Sequence, residues 1–304
     1  MQIAVTGATG FIGHYLVRQL AHQGHRLRLW VRPTSDRSGF DDLAAPIDAN
    51  QIEWVEGALG QSGSAARLVA GCDAVIHAAL DHPGGGFRGG EGNLLDFVQA
   101  NVVGTIELIE GARAAGAARF VFISTCAVHE QILDDRPLDE THPLWPTSHY
   151  GAHKAALEKF VHSYGLGQGY AICALRPTGV YGVAHRAEQS KWSELVQSVV
   201  RGRDVHCTHG GKEVHAGDVA RACGLLLHAE GIAGQAYSCY DRYISQYEVA
   251  MLAKEISGSS SQITGEATRP KHEIVTDKLQ ALGMQFGGAP LLRETVEQLV
   301  RLAQ

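Results

Sequence analysis

The chain has 304 residues, about twice the length of a common single domain, which predicts one large α/β unit or two domains sharing a boundary. Hydrophobic residues at 45% and charged residues at 19% describe an ordinary globular protein, and a net charge of −6 argues against a nucleic-acid binder held by phosphate contacts. No run of about eighteen apolar residues is present to cross a bilayer, and the N-terminus enters a strand pattern with no basic-then-apolar signal peptide. The expected compartment is the cytoplasm, with neither membrane nor nucleic acid as partner.

Residues 2–6 read as a short buried strand. Over 11–23, Phe11, Ile12, Tyr15, Leu16 and Leu20 share one helix face, and Gly24 stops the helix. A second strand is predicted at 26–31, a weak third at 52–55, a helix at 65–70 and a fourth strand at 74–78. One long helix covers 94–115, followed by a fifth strand at 119–124 with the apolar run of a sheet covered on both faces. A helix at 150–164 and a sixth strand at 171–175, closed by Arg176-Pro177, complete the alternation. Strand–helix alternation implies right-handed crossovers and a doubly wound parallel α/β sheet. Beyond Pro177 the rhythm loosens into helices at 191–201, 217–229, 246–257 and 290–303, with loops and short strands between. Gly258-Ser259-Ser260-Ser261 reads as a helix-ending loop.

Six cysteines at Cys72, Cys126, Cys173, Cys207, Cys223 and Cys239 form no CxxC pair. Cys72, Cys126, Cys173 and Cys223 lie in or beside apolar segments, as buried free thiols do. Among sixteen histidines, His206-Cys207-Thr208-His209 with His215 lacks the spacing of a zinc site and reads as a polar loop; no metal is expected.

Three motifs carry chemistry. Thr6-Gly7-Ala8-Thr9-Gly10-Phe11-Ile12-Gly13 stands at the first strand-to-helix turn, where a pyrophosphate can meet unpaired N–H groups and the positive end of a helix dipole. The stricter GxGxxG spacing at Gly84, Gly86 and Gly89 follows Pro83 and opens no immediate helix, so its context fails. Tyr150-Gly151-Ala152-His153-Lys154 puts a phenol and an ammonium one turn apart, where the ammonium is expected to draw the phenol's pKa down from about 10. The fifth strand ends in Ser124 and Thr125, hydroxyls placed at the carboxyl end of the sheet.

Together these segments resemble the extended short-chain dehydrogenase/reductases, the NAD(P)-dependent epimerase/dehydratase family, over nearly the whole chain. His77-Ala78-Ala79, Asn101-Val102-Val103-Gly104-Thr105, the run from Thr141 to Pro146 before Tyr150, and Leu175-Arg176-Pro177-Thr178-Gly179-Val180-Tyr181-Gly182 carry the likeness alongside the two motifs. The stretches 214–220 and 277–283 add weaker similarity. The resemblance implies a Rossmann part over 1–176 and a smaller, mainly substrate-binding part over 177–304, some of whose segments can return to the sheet. It implies Tyr150 as proton donor or acceptor, Lys154 as its activator and ribose ligand, and Thr125 in the place of the family's serine with Ser124 beside it. Asn101 would brace the central helix or hold a proton-relay water. Cofactor contacts are expected from Gly7, Thr9, Gly10, Phe11, Ile12, Gly13, Arg32, Ala58, Leu59, Ala78, Ala79, Leu80, Asn101, Tyr150, Lys154, Pro177 and Val180. Substrate contacts are expected from Thr125, Tyr150, His185, Arg186, Lys191 and Trp192.

Departures from the family pattern sharpen these expectations. Arg32 stands at the end of the second strand where NAD users often carry an acid, so the cofactor, NADP or NAD, leans to NADP. Gly57-Ala58-Leu59 lacks the aspartate that many relatives set against the adenine, and Thr178-Gly179 replaces the asparagine of many sugar-nucleotide epimerases. The leading reading is an epimerase/dehydratase-type oxidoreductase acting on a sugar, in the first place a nucleotide sugar. The alternative is an NADPH-dependent carbonyl reductase of the dihydroflavonol-reductase-like type, and a cofactor-sensing protein without catalysis stands third. No GxSxG elbow supports a hydrolase. The long helix and the YxxxK helix imply a C2 homodimer.

Overall fold

The computed structural model describes residues 1–40, 51–84 and 89–304. They form two compact units. The first holds Met1–Pro177, Val219–Cys239 and Val275–Met284; the second holds Thr178–Asp218, Tyr240–Ile274 and Gln285–Gln304.

In the first unit, β1 (Gln2–Thr6), β2 (Arg26–Val31), β3 (Ile52–Glu56), β4 (Ala74–His77), β5 (Arg119–Ile123) and β6 (Ala171–Pro177) all pair in parallel. A seventh strand, Gln235–Cys239, which the sequence pattern had not marked, adds in parallel to β6. The order across the sheet is therefore third, second, first, fourth, fifth, sixth and this last strand. The direction of winding reverses between β1 and β4, and such a reversal opens a crevice at the carboxyl ends of the strands. All four residues of β4 are buried, as expected of a strand with helices on both faces.

Helix α1 (Phe11–His22) buries Leu16, Val17, Leu20 and Ala21, and α2 (Ser64–Val69) follows β3. The long helix is not uniform. It runs as α3 (Leu94–Val98), a π-helical turn at Gln99–Val103 and α4 (Gly104–Ala114). Helix α5 (His149–Gln168) is longer than the apolar spacing indicates, because Ser148 caps its start and Gly169 closes it at φ +70°.

The second unit holds β7 (Gly179–Tyr181), α6 (Ser193–Val200), β8 (Val205–Cys207), β9 (Gly210–His215), α7 (Ala216–Leu226), which continues into the first unit, and, after the seventh sheet strand β10 (Gln235–Cys239), β11 (Arg242–Ser245), α8 (Gln246–Ser257) and β12 (Ile263–Gly265). The short α9 (Asp277–Gln280) belongs to the first unit and α10 (Gly288–Ala303) to the second. Tyr181, Val196, Val199, Val249, Leu292 and Val296 share the second unit's core. His206 and Cys207 lie in β8 and His215 ends β9, so the expected polar loop is largely strand. Cys126 is half-buried, and Cys207 and Cys239 join the other three cysteines in being buried. Gly84 lies in irregular chain, with its amide on the Gly90 carbonyl at 2.9 Å; Gly86 is outside the described residues. No helix among the described residues is long and apolar enough to cross a membrane.

Candidate functional site

The turn after β1 is shaped by missing side chains. Gly7 sits at φ +70°, and a Cβ there would stand 2.7 Å from the Ala78 carbonyl. A Cβ on Gly13 would run into the carbonyls of Gly7 and Ala8, whereas one on Gly10 would come no closer than 3.2 Å to Gly7 O. Gly10 caps α1 with no side-chain bond, so the N–H groups of Phe11, Ile12 and Gly13 have no partner within the helix. Gly10 is exposed and Thr9, Phe11 and Ile12 are half-buried around this mouth.

Behind the turn runs a buried chain of hydrogen bonds. Thr6 Oγ1 accepts the amides of Ala78 and Ala79 at 3.2 and 3.1 Å and lies 2.6 Å from His77 Nδ1. His77 Nε2 lies 2.9 Å from Thr105 Oγ1, which donates to Asn101 O at 2.6 Å. Because the Thr105 proton is spent on that carbonyl, Thr105 accepts from His77 Nε2–H and His77 Nδ1 accepts from Thr6. Burial holds His77 neutral, with its pKa lowered to about 3. Asn101 sits in the π turn; its Nδ2 donates to Asp81 O and Phe97 O at 2.7 and 3.0 Å, and its Oδ1 accepts Asp81 N–H at 2.8 Å. Both amide hydrogens are thus committed to backbone. These bonds tie the helix at Phe97 to the segment after β4.

The second centre lies at the end of β5. The Thr125 side chain hydrogen-bonds the Tyr150 phenol, and its Oγ1 accepts Ala127 N–H at 3.1 Å. One turn along α5, the buried Lys154 donates from Nζ to Ile123 O at 2.8 Å and lies 4.6 Å from the Phe122 ring centroid. Here an expectation is corrected. Burial is the largest influence on Tyr150 and pushes its pKa up, and the bond with Thr125 opposes it. The ammonium does not draw the phenol down, because it is turned to a backbone carbonyl and is itself destabilised. Burial lowers the Lys154 pKa to about 7 against the pull of Glu158.

The Ser124 hydroxyl donates to Glu158 Oε1 at 2.5 Å. Glu158 also takes Arg176 Nε at 3.0 Å and Nη2 at 2.5 Å, with both side chains at most 2% exposed. Arg176 Nη1 reaches His129 Nε2 at 3.1 Å and Glu140 O at 3.3 Å. Glu158 was not singled out from the sequence. Its signal was a carboxylate one turn beyond Lys154, between the buried Leu157 and Val161.

Arg32 follows β2, is exposed, and reaches Asp81 Oδ1 at 3.4 Å. Ala58, Leu59, Ala78, Ala79 and Leu80 are half-buried at the ends of β3 and β4, and Pro177 is buried at the end of β6. Val180, His185, Arg186, Lys191 and Trp192 belong to the second unit. His185 and Arg186 are exposed. Lys191 Nζ pairs with both oxygens of the buried Glu213 at 2.5 Å, and Trp192 is the one non-glycine at positive φ (+67°) among the described residues.

A profile of the NAD-dependent epimerase/dehydratase family matches residues 3–239. A 3-beta-hydroxysteroid dehydrogenase of Mycolicibacterium neoaurum is 31% identical over 66% of this chain, which spans about half (52%) of that relative's length. The 3 beta-hydroxysteroid dehydrogenase/Delta 5→4-isomerase of Mycobacterium tuberculosis is 31% identical over 98% of this chain and 81% of its own. In fold, the chain matches the UDP-glucose-4-epimerase of Stenotrophomonas maltophila, solved with NAD and formylated UDP-arabinopyranose. That match has a TM-score of 0.80 at 21% identity, over 99% of this chain and 98% of that one.

Proposed function

The chain belongs to the NAD-dependent epimerase/dehydratase family of extended short-chain dehydrogenase/reductases, and we propose that it epimerises a sugar, in the first place a nucleotide sugar, by oxidising a secondary alcohol to a ketone and reducing it again with the cofactor retained. The observation that carries this reading is the Thr125–Tyr150 hydrogen bond with Lys154 one turn away.

The residues present fit a dinucleotide. Gly7 and Gly13 keep open a cradle that a Cβ would fill, beside first-turn N–H groups with no partner within the helix. Gly7, Thr9, Gly10, Phe11, Ile12 and Gly13 would hold the diphosphate and Arg32 the adenosine ribose, with a lean to NADP. Ala58, Leu59, Ala78, Ala79 and Leu80 would flank the adenosine side. Tyr150 and Lys154 would hold the nicotinamide ribose, and Pro177 the nicotinamide. When bound, the cofactor supplies or takes the hydride.

The chain's own part is the proton. Tyr150 Oη takes the proton of the substrate hydroxyl in oxidation and returns it in reduction, and Thr125 Oγ1 fixes the same oxygen. Loss of water from the substrate would need a further acid and base. Beside Thr125 stand Cys126 and Ala127; the Cys126 thiol donates to Arg176 O at 3.0 Å and burial pushes its pKa up to about 12. The nearby His153 ring is held neutral by burial, with its pKa lowered to about 3. Alcohol–ketone chemistry without dehydration is the reading these groups support.

A second reading, net carbonyl reduction with release of the cofactor at each turnover, is favoured by the hydroxysteroid dehydrogenases at 31% identity and by Arg32. Sugar nucleotides, free sugars and small ketones should be screened for product isomers and for nicotinamide absorbance. An isomer formed without net absorbance change marks the first reading, and a stoichiometric change the second. In either case Tyr150→Phe should cost about 10²–10⁴ in turnover with cofactor affinity nearly intact; wild-type turnover in that variant rejects both.

Assembly as a C2 dimer through the 94–114 helix and α5 accords with exposed Leu94, Leu95, Val98, Val103 and Phe160 on these helices. Light scattering at micromolar concentration tests it. The six free thiols suit the reducing cytoplasm.

A further inference from the structure

The second strand ends without an acidic residue, but the structure supplies one from the other side of β1. β1 lies between β2 and β4 in the sheet. Arg32 directly follows β2 and Asp81 lies in the segment after β4, and their side chains meet at 3.4 Å from Nη1 to Oδ1. Both residues are anchored at the backbone. Asn101 holds the Asp81 N–H and C=O at 2.8 and 2.7 Å. Arg32 donates its N–H to Ser35 Oγ at 3.1 Å, and Ser35 N–H returns to Arg32 O at 2.9 Å.

The contact between the two charges is loose by comparison. A charge-assisted N–H···O bond is usually about 2.7–2.9 Å, and these side chains are 59% and 50% exposed. The pair is therefore open to solvent and to an incoming anion, on a framework that keeps both groups facing one another.

We propose that Asp81 is the cofactor-selecting partner of Arg32. Its carboxylate competes with a 2′-phosphate for the guanidinium, and it is the acceptor available to a 2′-hydroxyl. Arg32 draws in the phosphate of NADP, and Asp81 reduces that advantage by occupying the guanidinium and repelling the dianion. The chain can then use either cofactor, with a preference set by the balance of the two side chains. This rests on the reading of Arg32 at the adenosine ribose.

The test uses the full chain and two probes, adenosine 2′,5′-bisphosphate and 5′-AMP, titrated by calorimetry, so no substrate or turnover is needed. Asp81→Asn keeps the size of the side chain and the backbone clamp from Asn101. It should raise the ratio of bisphosphate to monophosphate affinity about three- to fivefold, the range of an exposed ion pair. Arg32→Ala should bring the ratio close to equality. If Asp81→Asn leaves the ratio unchanged or lowers it while Arg32→Ala collapses it, Asp81 is a bystander and the proposal is overturned with the Arg32 reading intact. If Arg32→Ala also leaves the ratio unchanged, both are wrong.

Discussion

The glycine turn and the Thr125–Tyr150–Lys154 corner serve one proposed cofactor, yet they are built in opposite ways. The turn is defined by space: Gly7 and Gly13 are required because backbone carbonyls occupy the places their side chains would take. The corner is defined by partners. Thr125 bonds the phenol, Ser124 is taken by Glu158, and Lys154 lies against the Ile123 carbonyl. A site made of space depends on neighbours in the same loop, whereas one made of partners depends on residues far along the chain. The two should therefore fail differently when disturbed.

The largest effect is expected beneath the corner. Arg176→Leu leaves the Glu158 carboxylate buried with Ser124 as its remaining side-chain donor, and breaking a buried pair typically costs about 3–5 kcal/mol. Urea unfolding should show that loss, and adding Glu158→Gln should restore part of it by removing the stranded charge. A loss below about 1 kcal/mol would mean that the pair does not support the corner.

Next comes the division of labour between the two hydroxyls. Thr125→Ala should lower turnover by roughly 10²-fold, the low end for a group acting with the acid–base residue, and cost about 0.5–2 kcal/mol through the lost cap on Ala127 N–H. Ser124→Ala should cost about 1–3 kcal/mol because a buried carboxylate loses a donor, with turnover largely retained. If the two variants behave alike, the different partners of these two hydroxyls have no functional meaning.

The turn should yield a smaller and purely steric contrast. Gly13→Ala forces a methyl into two carbonyls, an overpacking that costs about 1–3 kcal/mol and should weaken cofactor binding. Gly10→Ala meets its nearest neighbour at 3.2 Å in an exposed position and should cost far less. Equal losses in thermal unfolding would contradict the steric account.

This contrast also explains what could be read from sequence. The parallel sheet, the turn and the YxxxK pair are local patterns, and local patterns survive in a single chain. The strand Gln235–Cys239 did not stand out, because its small and polar residues lack the β-branched run of β5. The π turn at Asn101 was hidden because helical spacing continues on both sides of it. Asp81 and Glu158 carry no motif of their own; only the fold brings them to Arg32 and Arg176. The state of Lys154 was not legible either, because it depends on complete burial.

That state leads to the smallest effect and the most direct measure of the corner. Lys154 has its pKa lowered from 10.5 to about 7 by burial. Between those values the unfolded chain binds more protons than the folded one, so this group makes stability rise with pH across that window, and below it the folded state carries the full cost of the buried ammonium. Cofactor binding should act in the opposite sense. A bound diphosphate dinucleotide brings negative charge and ribose hydroxyls to Lys154, favours the ammonium and raises its pKa. Binding near pH 8 should therefore take up a proton, and cofactor affinity should fall as pH rises above 7, by at most about tenfold per pH unit for one group. Calorimetry in buffers of different ionisation enthalpy reads the uptake directly. Lys154→Met should abolish it and flatten the pH dependence. Equal uptake in wild type and variant would assign the proton to another group and leave Lys154 as a packing residue.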